Sequence, residues 1–92
     1  MKLGTSVGGK LDSIAAQAEK AESDQYDLIS CGELAHDSVL TMTVAATATQ
    51  SIDLMTSVTI AFPRSPMVLA MEAWDLQVLS KGRFSIGLGS QV

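Results

Sequence analysis

Hydrophobic and polar positions along the chain switch between a period near two and a period near 3.6, which sets out alternating strands and helices. A short β-type run from Lys2 to Val7 closes on Gly8-Gly9. Leu11, Ile14, Ala15, Ala18 and Ala21 then recur at helical spacing, with Asp12, Glu19, Lys20 and Glu22 opposite them, predicting an amphipathic helix. Asp27 to Cys31 reads as a second strand, ended by Gly32. Asp37 is placed to N-cap a second helix, whose apolar side is expected at Leu40, Val44, Ala45 and Ala48. Its threonines are poor helix formers, so tertiary burial must hold it. Ile52 to Ala61 is the longest β-type run and stops before Pro63. Ser65 and Pro66 begin a third helix as N-cap and first helical residue. Its buried side is predicted at Leu69, Ala70, Ala73, Trp74, Leu76 and Leu79, and Lys81-Gly82 closes it. Phe84 to Leu88 is a fourth predicted strand.

Predicted strand starts near positions 2, 27, 52 and 83 recur every 25 to 31 residues, with a helix between each pair. No Asn-Gly or similar two-residue hairpin signal interrupts them. Strands joined through helices run parallel with right-handed crossovers. The chain therefore reads as an α/β fold of order βαβαβαβ. An open doubly wound sheet needs a reversal of strand order. The sequential order read here favours half of a TIM (β/α)8 barrel. Four strands do not close such a barrel, so the reading is a partial, truncated barrel with open edges, occupying residues 1–92 as one unit.

The composition narrows the function classes. Ninety-two residues that are 47% hydrophobic and 17% charged exclude a disordered chain. A net charge of −4, with six Lys and Arg scattered singly, provides no basic stripe for nucleic acid. No apolar run approaches the roughly 20 residues of a membrane span. The N-terminus has no signal-peptide core, and the single cysteine, Cys31, makes no internal disulfide. A cytoplasmic protein, with neither nucleic acid nor membrane as partner, is the expectation.

In parallel α/β folds the chemistry gathers where strands end and helices begin, here at Val7–Lys10, Gly32–Asp37, Ser57–Arg64 and Gly87–Gln91. The same residues also suit plain turn and capping roles. Gly4 to Lys10 fits the glycine-lysine part of a phosphate-binding loop, but Leu11 stands where that motif needs Ser or Thr. Glu33, His36 and Asp37 form the one cluster with acid–base potential, because imidazole titrates near neutrality and a carboxylate can orient it. The plainer alternative is Asp37 as an N-cap beside a solvated His36. No metal-ligand spacing and no nucleophile-elbow motif is present. Met42, Met55, Met67, Met71 and Trp74 are read as core and helix-face packing, and Arg64 as a surface arginine with the option of holding an anion.

Several strings carry a family resemblance: GTSV at Gly4–Val7 and MTSV at Met55–Val58, AFPRSPMVLA at Ala61–Ala70, AWDLQVLSKGRF at Ala73–Phe84 and GLGSQV at Gly87–Val92. Over its whole length the chain resembles the luciferase-like monooxygenases, nearest their deazaflavin-dependent oxidoreductase branch. The resemblance implies the N-terminal half of a TIM barrel about three times this long. It implies hydride exchange between coenzyme F420, or alternatively FMN, and a small organic substrate. It also implies a non-prolyl cis peptide behind the cofactor ring, at Ser57–Val58, with Gly89 and Ser90 near the cofactor. Glu33 and His36 correspond to an acid-His pair of relatives and are the catalytic candidates, although Leu34 directly follows Glu33 here. The rival expectation is an inactive half-barrel that self-associates through its open edges, a possible homodimer.

Overall fold

Four parallel strands in sequential order form the main sheet, because each is fed into the next through a helix. The computed structural model describes residues 3–33, 36–60 and 65–89. Its elements are β1 (Gly4–Ser6), α1 (Leu11–Ser23), β2 (Leu28–Cys31), α2 (Ser38–Ala48), β3 (Asp53–Thr56), β4 (Thr59–Ile60), α3 (Pro66–Leu79), β5 (Phe84–Ser85) and β6 (Leu88–Gly89). The sheet runs β1-β2-β3-β5, and β4 pairs with β6 in a separate two-stranded sheet. Every pairing is parallel.

Register decides what each face carries. Thr5, Ile29, Leu54 and Phe84 are cross-strand neighbours in one row, and Ile29, Leu54 and Phe84 are buried with the helices. Ser6, Ser30, Met55 and Ser85 form the adjacent row. Strand side chains alternate between faces, so this second row lies on the face away from the helices, where Ser6 and Ser85 are exposed. Helices thus cover one face only. The core cluster joins Ile14, Ala18 and Ala21 of α1 with Val39, Met42, Ala45 and Ala46 of α2, Leu76 of α3 and the buried strand row. The alanines let α1 and α2 approach closely, and each fully buried Ile or Leu contributes about 1.5–3 kcal/mol.

The helix ends follow the predicted caps. Asp37 accepts from the N–H groups of Val39 (2.8 Å) and Leu40 (3.0 Å), so α2 begins at Ser38. Ser65 accepts from Val68 N–H ahead of Pro66. Lys81 and Gly82 both have positive φ, and Gly82 N–H donates to Gln77 O, closing α3.

Three expectations are corrected. The long strand expected over Ile52–Ala61 is two strands in two sheets, broken at Ser57-Val58, and the fourth predicted strand splits in step into β5 and β6. Second, Leu40 is exposed, because the buried side of α2 is rotated to Ser38, Val39, Met42, Ala45 and Ala46. Third, only Leu69 and Leu76 of α3 are buried, while Ala70, Trp74, Leu79, Met67 and Met71 face out. A helix packed on one sheet buries a narrow arc, and the apolar positions of α3 run almost all round it. Pro63, Arg64, Ser90 and the far end of the predicted third strand lie outside the described residues.

Candidate functional site

Because the strands are parallel, their C-terminal ends converge on one rim. There Val7, Gly8, Gly9, Cys31, Gly32, His36 and Thr41 line a cavity of about 290 Å³. The loop after β1 is held by a residue that sequence reading passed over. Gln17 on α1 donates to Gly8 O (2.8 Å) and accepts from Gly8 N–H (3.1 Å), holding the two peptides on either side of the Gly8 Cα. Gly9 sits at φ 97°, a conformation that disfavours any side chain. The Cys31 thiol is buried 3.6 Å from Ser38 O and pushed up to about 11, first by burial and then by the charges of Glu33 and Asp37. It stays protonated at neutral pH and is no nucleophile.

The rim's second feature is the break between β3 and β4. The Ser57–Val58 peptide is cis, the bond the resemblance implies. Backbone bonds bind the break on both sides: Ser57 N–H donates to Cys31 O and Thr59 N–H to Gly87 O, each at 2.6 Å. Gly87 N–H donates to Thr56 O (3.1 Å) and to Thr56 Oγ1 (2.9 Å), so Thr56 is buried and satisfied. The approach excludes side chains. A Cβ on Gly87 would stand 2.5 Å from Thr56 O, and one on Gly89 2.7 Å from Val58 Cγ2. Val58 consequently projects at the rim, 43% exposed. Ser57 O lies 3.4 Å from where a Cβ of Gly32 would be, which joins this bulge to the cavity wall.

Glu33 and His36 are described by different contacts. His36 is exposed and lines the cavity. Glu33 Oε2 instead accepts from Ser38 N–H (3.0 Å) and Ser38 Oγ (3.1 Å). Ser38 Oγ in turn lies 2.8 Å from Thr59 Oγ1, both residues fully buried. A continuous chain of hydrogen bonds therefore links the end of β2, the start of α2 and the strand after the bulge. Neither Ser38 nor Thr59 announces this in sequence; only the buried polar pair does. Of the four cofactor-contact candidates, Ser57, Val58 and Gly89 are brought together at the bulge, and Ser90 lies outside the described residues. Among the described residues no group of three His, Cys, Asp or Glu is placed to hold a metal. No helix there is long and apolar enough to cross a membrane.

These features define a partial parallel α/β barrel with a small-residue rim and a backbone bulge at its third strand. Residues 2–92 match the luciferase-like monooxygenase family, and the chain belongs to it. It is 38% identical over its full length to an uncharacterized protein of Mycobacterium tuberculosis, and spans 27% of that relative's length. Among solved structures it superposes with a TM-score of 0.86 on the oxygenating constituent of 3,6-diketocamphane monooxygenase from Pseudomonas putida, solved with FMN. That likeness has 21% identity and covers all of this chain and 30% of the other. A second likeness, also with a TM-score of 0.86, is to the coenzyme F420-dependent tetrahydromethanopterin reductase of Methanopyrus kandleri, with 24% identity, 99% of this chain and 27% of the other. The expected fold class, a partial TIM barrel, is the one these neighbours share.

Proposed function

We propose that this chain forms one side of the cofactor pocket of a flavin- or deazaflavin-dependent oxidoreductase acting on a small organic substrate. The observation that carries the reading is the bulge at Ser57-Val58, packed from behind by Gly87 and Gly89 and presenting Val58 at the same rim as the cavity. A planar ring needs a firm apolar backing and close backbone approach. Val58 would supply the first, and Gly8, Gly9 and Gly32 the second. The cavity sits at the lower end of the roughly 300–1,000 Å³ of ligand pockets, as suits one wall of a larger site.

The bound cofactor would supply the hydride chemistry, and the protein the orientation and local proton handling. His36, exposed at the cavity, is the residue in reach of a substrate proton. Glu33 acts at one remove, as a positioning residue that fixes the start of α2 through Ser38. Between the two cofactors we favour coenzyme F420, on the overall similarity of the sequence to that branch, with FMN as the alternative.

The test is a titration of the protein, produced from its full reading frame, with coenzyme F420 and with FMN, following cofactor fluorescence. Saturable quenching by one of them is expected, weakened at least tenfold by Val58→Asp. Absence of binding by both cofactors, or binding indifferent to Val58→Asp, overturns the proposal.

A further inference from the structure

Two segments of the chain frame the rim and leave the main sheet by different routes. The loop after β2 carries His36 into α2, and the chain after β3 passes through the bulge that carries Val58 into β4. Backbone pairing holds them together as far as Ser57 N–H, which donates to Cys31 O (2.6 Å). Beyond that bond β4 pairs with β6 in the separate two-stranded sheet, so no strand ladder ties β4 to α2. What meets there is a pair of hydroxyls, Ser38 Oγ and Thr59 Oγ1, 2.8 Å apart and each on a fully buried residue.

Their partners fix the direction of the bond. An ionised carboxylate only accepts, so Ser38 O–H donates to Glu33 Oε2, and its oxygen takes the proton of Thr59 O–H. Ser38 also donates its N–H to Glu33, and its carbonyl faces Cys31 Sγ at 3.6 Å, which fastens it to the end of β2. Thr59 N–H is fastened to Gly87 O at 2.6 Å. Each hydroxyl therefore stands on a separately anchored backbone, and the bond between them joins the two anchors. Buried hydroxyls at these two positions add little apolar area; they add direction. His36 is two residues from Ser38 and Val58 one from Thr59, so hardly any chain lies between to absorb a slip at the pair.

We propose that the Ser38–Thr59 hydroxyl pair is a strut that sets the separation of the two walls of the rim, the loop that carries His36 and the bulge that carries Val58. Both are positioning residues, fully buried and acting through their neighbours, and the role in cofactor placement rests on the reading of the rim given above. The scale is sufficient. With a methyl in place of the Thr59 hydroxyl, the contact moves from 2.8 Å to about 3.5–4.0 Å, the separation of two apolar atoms. That exceeds the roughly 0.5 Å within which the groups of a working site are held.

The test is hydrogen exchange, read by mass spectrometry, on the protein from its full reading frame as wild type, Thr59→Val and Thr59→Ser. Thr59→Val leaves the backbone bonds of both segments in place. It should raise exchange roughly tenfold in residues 57–60 and equally in residues 36–40, with α1 unchanged and Thr59→Ser restoring both segments. With coenzyme F420 or FMN bound, the visible circular dichroism of the ring should weaken in Thr59→Val and recover in Thr59→Ser, while saturable binding persists. Exchange raised in residues 57–60 alone, or in neither segment, overturns the proposal, as does a bound ring with wild-type dichroism in Thr59→Val. Should Thr59→Val fail to fold, wild type decides: the two segments opening together across low guanidinium concentrations support the strut, and separate openings refute it. A wild type that binds neither cofactor overturns the proposed function, and the exchange measurement still decides the strut.

Discussion

Arg83 lies far along the chain from the helix it stabilises, and removing its guanidinium should cost more than any other half-buried polar change in this structure. Its Nε donates to Ser80 O at 2.7 Å. One terminal nitrogen donates to Ile52 O (2.8 Å) and Thr49 Oγ1 (3.0 Å), the other to Ala46 O and Thr49 O, both 3.3 Å. The last turn of α2 contains no basic residue, so Arg83 supplies both the missing cation and donors for carbonyls the helix leaves unpaired. A hydrogen bond to a charged group contributes about 1.5–3 kcal/mol. Three of the five contacts are short, the group is half-buried, and water replaces part of what is lost, so Arg83→Met should cost about 3 kcal/mol. Total stability for a domain this size is about 5–14 kcal/mol, so the loss is a large share of it. Lysine offers one point charge and no planar fork, and Arg83→Lys should recover about 1 kcal/mol. Urea unfolding followed by circular dichroism measures both at unchanged m-value. A loss below about 1 kcal/mol in the methionine variant, or full recovery with lysine, would refute the reasoning.

Two further predictions follow from the same kind of geometry. Glu22 accepts from the N–H groups of Gln50, Ser51 and Ile52, and these bonds, that of Ser51 foremost, hold its carboxyl below the ordinary 4.5 against the opposing effect of burial. Its stabilisation is therefore complete above the ordinary value and lost as pH falls through the lowered one; Glu22→Gln should be less stable than wild type by about 1 kcal/mol near neutrality, the gap closing only below about pH 4.5. A gap that widened in acid would contradict this. At the bulge, Gly87→Ala meets backbone and should cost more than about 2 kcal/mol, whereas Gly89→Ala meets only the Val58 side chain. Pairing Gly89→Ala with Val58→Ala should restore most of the loss, and additivity of the two changes would show that the contact is not what the glycine protects.

Much of the fold was legible because it rests on local chemistry. Asp37, Ser65-Pro66 and Lys81-Gly82 mark helix ends through interactions with their own neighbours, and parallel pairing follows from the helices between strands. The rim site was legible through topology, since parallel strands bring Gly8, Gly32, Val58 and Gly89 to one edge. What stayed hidden depends on partners far apart in the chain. Ser38 and Thr59 are separated by 21 positions, Arg83 and Thr49 by 34, and no periodicity reports such pairs. The break in the third strand was marked only by the resemblance, because the bonds beside it, from Gly87 N–H to Thr56, span 31 positions.

By itself, then, the sequence determined the element order, the helix caps, the parallel α/β class and the family resemblance, all carried by near neighbours and by spacing. Tertiary structure alone decided which side of α2 and α3 is buried, and it brought Glu33 onto Ser38. A helix rich in apolar residues on every side has no preferred face until a sheet takes one. Glu33 meets Ser38, five positions on, because the fold sets the end of β2 against the start of α2.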